Sequence, residues 1–189
     1  MRPLVLPLIS LFVLAGLAGA QAPSGNIFLG YSYDRAAVSN FRSFNTNGWE
    51  ASVEGKLIPH LGIVADIDGH YGSALPLAFP VQPAGVCVPT CPPVSSTNFS
   101  EYHYLFGPRV SVSFGKVRPF AEALFGASHI SGNNGFNSDT SFATAFGGGF
   151  DYKIVRPMAF RLEMDAVRTN FFSVAKVDFR LSSGIVFRF

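Results

Sequence analysis

Along most of the chain, apolar and polar residues alternate with a period of two. From 26 to 35, Ile27, Leu29, Tyr31 and Tyr33 share one side, and Phe28, Gly30, Ser32 and Asp34 share the other. From 48 to 57, Trp49, Ala51, Val53, Gly55 and Leu57 alternate with Glu50, Ser52, Glu54 and Lys56. The same rhythm returns over 61–72, 101–115, 120–127, 142–152, 160–166 and 176–189. Successive side chains of a strand point to opposite faces, so this periodicity predicts eight strands. Each approaches the ~9–11 residues that a tilted strand needs to cross a bilayer.

The connections alternate too. Those at 58–60, 116–118 and 154–157 are short, whereas 36–47, 73–100, 128–141 and the stretch near 169–175 are longer or richer in polar and turn residues. Short turns at one end and longer loops at the other predict an all-β fold, a transmembrane antiparallel up-and-down β-barrel of eight strands. Both chain ends then fall on the short-turn side.

Alternation alone does not say which face meets lipid. One face carries Asp34, Glu50, Glu54, Asp66, Asp68, Glu122, Asp151, Glu163, Asp165 and Asp178, with Lys56, Arg109, Arg161, Lys176, Arg180 and Arg188. Its remaining positions are largely Gly, Ser and Ala, which leave room for long charged side chains in a narrow interior. The other face holds all six tyrosines and Trp49. Tyr31, Tyr33, Trp49, Tyr71 and Tyr102 sit near the long-loop ends and Tyr152 beside a short turn, which reads as two interfacial aromatic girdles around an apolar band. The charged face is therefore assigned to the lumen. A soluble, ligand-binding barrel would need the aromatic face inside, where so many rings overfill eight strands.

The first twenty residues stand outside this pattern. Arg2 precedes an apolar run from Leu4 to Leu17, and Ala18-Gly19-Ala20 follows. That is the layout of a secretory signal peptide cleaved after Ala20, with the barrel domain at 21–189. The mean hydropathy is +0.29, yet no later run of ~18 apolar residues exists, so the apolar surplus belongs to strands and not to a spanning helix. A net charge of +2 gives no case for nucleic acid.

Several segments resemble the small OmpA-like outer-membrane β-barrel family: LGIVADIDGHYG at 61–72, YLFGPRVSV at 104–112, PFAEALFGASH at 119–129, AFGGGFDYK at 145–153, the opening IFLGYSYDR and the closing GIVFRF. The resemblance covers nearly all of the mature chain. It implies an eight-stranded barrel with a polar interior in a bacterial outer membrane, with both termini periplasmic. The terminal Phe189, closing an alternating strand, resembles the signal read by the barrel assembly machinery. The family's full-length namesake also carries a C-terminal peptidoglycan-binding domain; this chain stops at the last strand, so no wall-anchoring role is expected.

Candidate chemistry follows from this layout. Glu50, Glu54, Asp66, Asp68, Arg109, Glu122, Asp151, Arg161, Glu163, Asp165 and Arg180 are expected to form a lumenal ion-pair network, because buried charges are costly unless paired. Arg109, Arg161 and Arg180 are the donors suited to fork-like carboxylate binding. His70 and His103 fall on the lumen side of neighbouring strands and should join it. A network that plugs the barrel leaves function to the loops; a narrow ion pathway is the alternative. The segment 73–100 holds six prolines, Cys87 and Cys91, and no charge between Gly72 and Glu101. In an oxidising compartment the two cysteines are expected to form a disulfide. This stiff loop could meet an extracellular ligand, another barrel or lipopolysaccharide. His129 and Ser131 resemble the His-x-Ser pair at the rim of outer-membrane lipid A deacylases, with Asp139 as a candidate orienting acid, but Gly132 and Asn133 suggest a turn there. The expectation is a non-enzymatic protein with no cofactor, and no histidine pair shows metal-ligand spacing.

Overall fold

The computed structural model describes residues 24–37, 45–74, 97–133, 138–172 and 174–189. Eight strands follow one another in chain order: β1 (Gly25–Ala37), β2 (Asn45–Ile58), β3 (Leu61–Ala74), β4 (Thr97–Ser111), β5 (Val117–Gly132), β6 (Asp139–Val155), β7 (Met158–Phe171) and β8 (Val174–Arg188). Each pairs antiparallel with the next, and β8 returns to β1, so the sheet is a closed barrel. Closure leaves no strand edge with unpaired N–H and C=O groups, a condition for a sheet inside hydrocarbon. At ~3.3 Å per residue and a tilt near 45°, strands of 13–17 residues rise about 30–40 Å, more than the ~25 Å apolar band of such barrels.

All eight predicted strands are present, and most extend further than the alternation suggested. The ladders continue through polar residues at the long-loop end, because backbone pairing does not require an apolar side chain. β5 runs through His129 to Gly132, so the turn expected at Gly132-Asn133 begins only past the strand. β7 ends at Phe171 and β8 begins at Val174, so most of the stretch near 169–175, expected as a connection longer or richer in polar and turn residues, is strand. At the opposite end, Gly115 has a φ of 61°, the left-handed value a tight hairpin needs at its first central position. Phe114 and Val117 exchange backbone hydrogen bonds of 2.7 and 3.0 Å around it. The β4–β5 register skips Gly107 and Pro108, where proline has no N–H to give.

The interior is not polar throughout. Val64, Leu105, Leu124, Ala143, Ala145 and Val167 form one buried cluster, and Phe28, Ala159 and Val186 a second. Both share the inward face with the charges, a feature that the Gly, Ser and Ala character read from the sequence understated.

Candidate functional site

The barrel is charged inside and apolar outside. Eleven of the twelve acidic residues are buried: Asp34, Glu50, Glu54, Asp66, Asp68, Glu101, Glu122, Asp151, Glu163, Asp165 and Asp178. Arg109, Arg161 and Arg180 are at most 1% exposed. Removing such groups from water costs several kcal/mol each unless partners replace the lost solvation. The strands supply those partners by register: Arg109 faces Glu122 across β4–β5, Asp151 faces Arg161 across β6–β7, and Asp165 faces Arg180 across β7–β8.

The ion pairs sort into two groups. In the first, Arg109 places Nε 2.6 Å from Glu122 Oε2 and Nη2 3.4 Å from Glu163. Arg161 forks onto Asp151 at 2.7 and 3.3 Å and lies 3.6 Å from Glu163. Arg188 reaches Asp151 at 2.9 Å. Lys56 pairs with Glu54, which Asn26 also binds at 2.7 Å. Arg118 donates to Ser111 Oγ at 2.8 Å with Glu54 4.0 Å away. The Phe120 ring lies 4.4 Å from the Arg109 guanidinium and 4.6 Å from that of Arg161, so a π face meets two like charges.

In the second group, Arg180 donates to Asp66 at 2.9 Å, to Asp165 at 2.8 Å and to Asp68, with Glu50 3.6 Å away. Ser182 bridges Glu50 and Ser32. His103 Nδ1 lies 2.6 Å and His70 Nδ1 3.1 Å from Asp68 Oδ1. Lys176 pairs with Asp178 at 2.5 Å and with Glu101 at 3.6 Å.

Every residue of the expected network thus lies in the interior with an ion-pair partner. Reading by parity missed Glu101, although it falls two residues before His103 on the same face. It also missed Arg118, which sits in a segment read as a turn and sends its side chain inward. Neither required a new motif; both needed the strand ends, which alternation places poorly.

On the outside, Tyr31, Trp49, Tyr71 and Tyr152 are exposed, while Tyr33 and Tyr102 are half-buried. The Tyr71 and Tyr102 hydroxyls are 3.1 Å apart with their rings edge to face, and Tyr31 donates to Asn47. Phe189 extends β8 and exchanges two backbone hydrogen bonds with Gly25, at 2.9 and 3.0 Å, at the β1–β8 seam.

His129, Ser131 and Asp139 are not assembled as a catalytic set. His129 Nδ1 is 2.7 Å from Thr140 Oγ1 on β6, whereas Ser131 Oγ is 3.1 Å from Ser100 Oγ on β4. Each side chain is engaged by a different neighbouring strand. Asp139 accepts from the backbone N–H of Phe172 at 2.6 Å and of Thr140 at 2.8 Å, so it holds the β7–β8 turn and does not orient an imidazole. The signal peptide expected at 1–20, Cys87 and Cys91 with their expected disulfide, and most of the 73–100 segment lie outside the described residues.

A closed eight-stranded sheet with paired charges inside and aromatic residues outside defines the class: the fold is that of the small outer-membrane β-barrels. Solved structures of that fold superpose on it. Neisserial surface protein A matches with a TM-score of 0.66 at 13% identity, over 87% of this chain and 97% of its own. Ail, the attachment invasion locus protein of Yersinia pestis, solved in complex with the heparin analogue sucrose octasulfate, matches at 0.57 and 13%, over 88% and 100%. The N-terminal β-barrel domain of Pseudomonas aeruginosa OprF matches at 0.52 and 11%, over 88% and 98%. No family model and no curated protein matches the sequence.

Proposed function

We propose that the chain is a resident of the bacterial outer membrane, with both termini periplasmic and a lumen plugged by paired charges. It acts through its long-loop end in a structural or surface-interaction role. The observation that carries this reading is the burial of Arg109, Arg161 and Arg180, each within ion-pair distance of at least two carboxylates. A water-filled pathway would leave such side chains solvated; here they are buried against carboxylates, and the Arg161 guanidinium lies 5.1 Å from the Phe28 ring and 4.6 Å from the Phe120 ring.

With the lumen occupied, variable chemistry falls to the loops. The partners that fit are outer-membrane lipid and lipopolysaccharide around the barrel, the barrel assembly machinery at Phe189, and an extracellular ligand at the 73–100 loop. Ail, of the same fold, was solved in complex with a heparin analogue, and binding of an extracellular ligand is a role of the same kind. Nothing in the His129–Ser131 geometry supports adding catalysis.

Single-channel recording of the protein refolded in planar bilayers tests the plug. The expected outcome is no steady current from the unmodified protein or from Arg109→Ala. A stable current of nanosiemens size, rising on removal of Arg109, would replace this reading with a gated pore.

A further inference from the structure

The two ion-pair groups differ in charge. In the first, Glu54, Glu122, Asp151 and Glu163 meet five cations. In the second, Glu50, Asp66, Asp68, Glu101, Asp165 and Asp178 meet only Arg180 and Lys176. Two of the four histidines, His70 and His103, lie in the group where carboxylates outnumber cations.

Their placement is specific. Asp68 and His70 are two apart on β3 and so share the inward face, and His103 is the direct cross-strand partner of Asp68 on β4. Both imidazoles turn Nδ1 toward one carboxylate oxygen, Asp68 Oδ1, at 2.6 Å from His103 and 3.1 Å from His70. His70 Nδ1, fully buried, makes no hydrogen bond there. The far nitrogens have polar neighbours: His70 Nε2 lies 2.9 Å from Ser32 Oγ, and His103 Nε2 lies 3.2 Å from Glu101 Oε1 at ion-pair distance without a hydrogen bond. Arg180 takes Asp68 Oδ2, which leaves Oδ1 to the histidines. One ligand atom from each of the three residues lies within 4.8 Å of the others.

We propose that Asp68, His70 and His103 form a buried lumenal site for a divalent transition metal of the zinc class. Two imidazole nitrogens and one carboxylate oxygen are the borderline ligand set that such ions take, with water in the fourth position. Bonds of ~2.0–2.2 Å place the ligands of a tetrahedral centre roughly 3.4 Å apart, so the two imidazoles must part from Asp68 by less than about 1 Å. Ser32 and Glu101 supply the outer contacts that orient metal-bound imidazoles. The ion brings two positive charges to a region where carboxylates outnumber cations, and it ties β3 to β4. Two imidazolium protons would supply the same charge without a metal; the experiment separates these cases. The site rests on the β3–β4 register and these side-chain distances, so a conducting lumen would not affect it.

The test uses the whole chain refolded in detergent, stripped with chelator and titrated with Zn²⁺. The expected result is one Zn²⁺ per chain with a dissociation constant below about 1 µM. His70→Ala and His103→Ala should each weaken binding at least tenfold, and His129→Ala, on the outer face, should leave it unchanged. Heat-dependent gel mobility reports whether each variant folds. Pulsed electron paramagnetic resonance of the Cu²⁺-loaded unmodified protein counts bound imidazoles without any substitution, and two are expected. Absence of Zn²⁺ binding at 100-fold higher concentration, fewer than two imidazoles on Cu²⁺, or binding that survives the folded double variant would overturn the proposal.

Discussion

Arg180 is the side chain on which most buried charge converges. It serves Asp66, Asp68 and Asp165 directly, with Glu50 close by, and none of these is solvated. Removing one member of a buried pair leaves the other charge uncompensated, at a cost of about 3–5 kcal/mol. Arg188 pairs with Asp151 with 28% of its side chain exposed, and a pair open to water contributes roughly 0–1 kcal/mol. Denaturant unfolding in detergent should therefore show a large loss for Arg180→Ala and a small one for Arg188→Ala. Equal losses would mean that burial does not set the worth of these pairs. Gly147 makes the same point sterically. A Cβ there would stand 2.0 Å from Asp165 Oδ1 and 2.3 Å from the Met164 carbonyl oxygen, so Gly147→Ala must shift the Asp165 carboxylate, whose Oδ2 binds Arg180, and the β7 backbone beside it. The expected loss is about 1–3 kcal/mol by the same unfolding assay. At Gly55 nothing lies within 4 Å, and Gly55→Ala should change stability by less than about 0.5 kcal/mol.

Among the elements, the β1–β8 seam decides whether the barrel closes, and Phe189 sits at its end. Its backbone makes both hydrogen bonds to Gly25, while its side chain is 64% exposed. Phe189→Ala keeps the backbone pair and removes only the outward ring. If that ring is an assembly signal, the variant should match the parent in unfolding midpoint yet reach the outer membrane of cells more slowly, as pulse-chase with heat-dependent mobility would show. A lowered midpoint with unchanged insertion would make the ring a packing element instead. The strand cores were legible because one-residue parity separates Glu and Arg from most Phe and Val, although Phe28, Val64, Phe120, Val167 and Val186 share the charged face. The strand ends were not, because polar residues such as Ser128, Ser131 and Thr140 continue the β4–β5–β6 ladders without any apolar signal. That is why His129 and Ser131 read as a rim pair, whereas the register commits each to a different neighbour.

Taken as a whole molecule, the barrel carries its single tryptophan outside, 42% exposed among tyrosines near the long-loop end. In vesicles of brominated lipid, Trp49 fluorescence should be quenched more by bromines near the headgroup than by those near the chain terminus. No quenching by either would mean that this surface does not face lipid. The alternation of side chains by itself determined the strand count and which face is charged, since a period of two is a local property of an extended chain, and the short connections between strands determined the antiparallel order. It also placed the three lumenal arginines and most of their carboxylates. Only the tertiary structure decided who pairs with whom. The closed sheet brings Arg180 on β8 to Asp66 and Asp68 on β3, residues more than one hundred positions away that no spacing rule connects. It also turned His70 and His103 onto one oxygen of Asp68, because cross-strand register, and not sequence distance, sets which side chains share a level of the lumen.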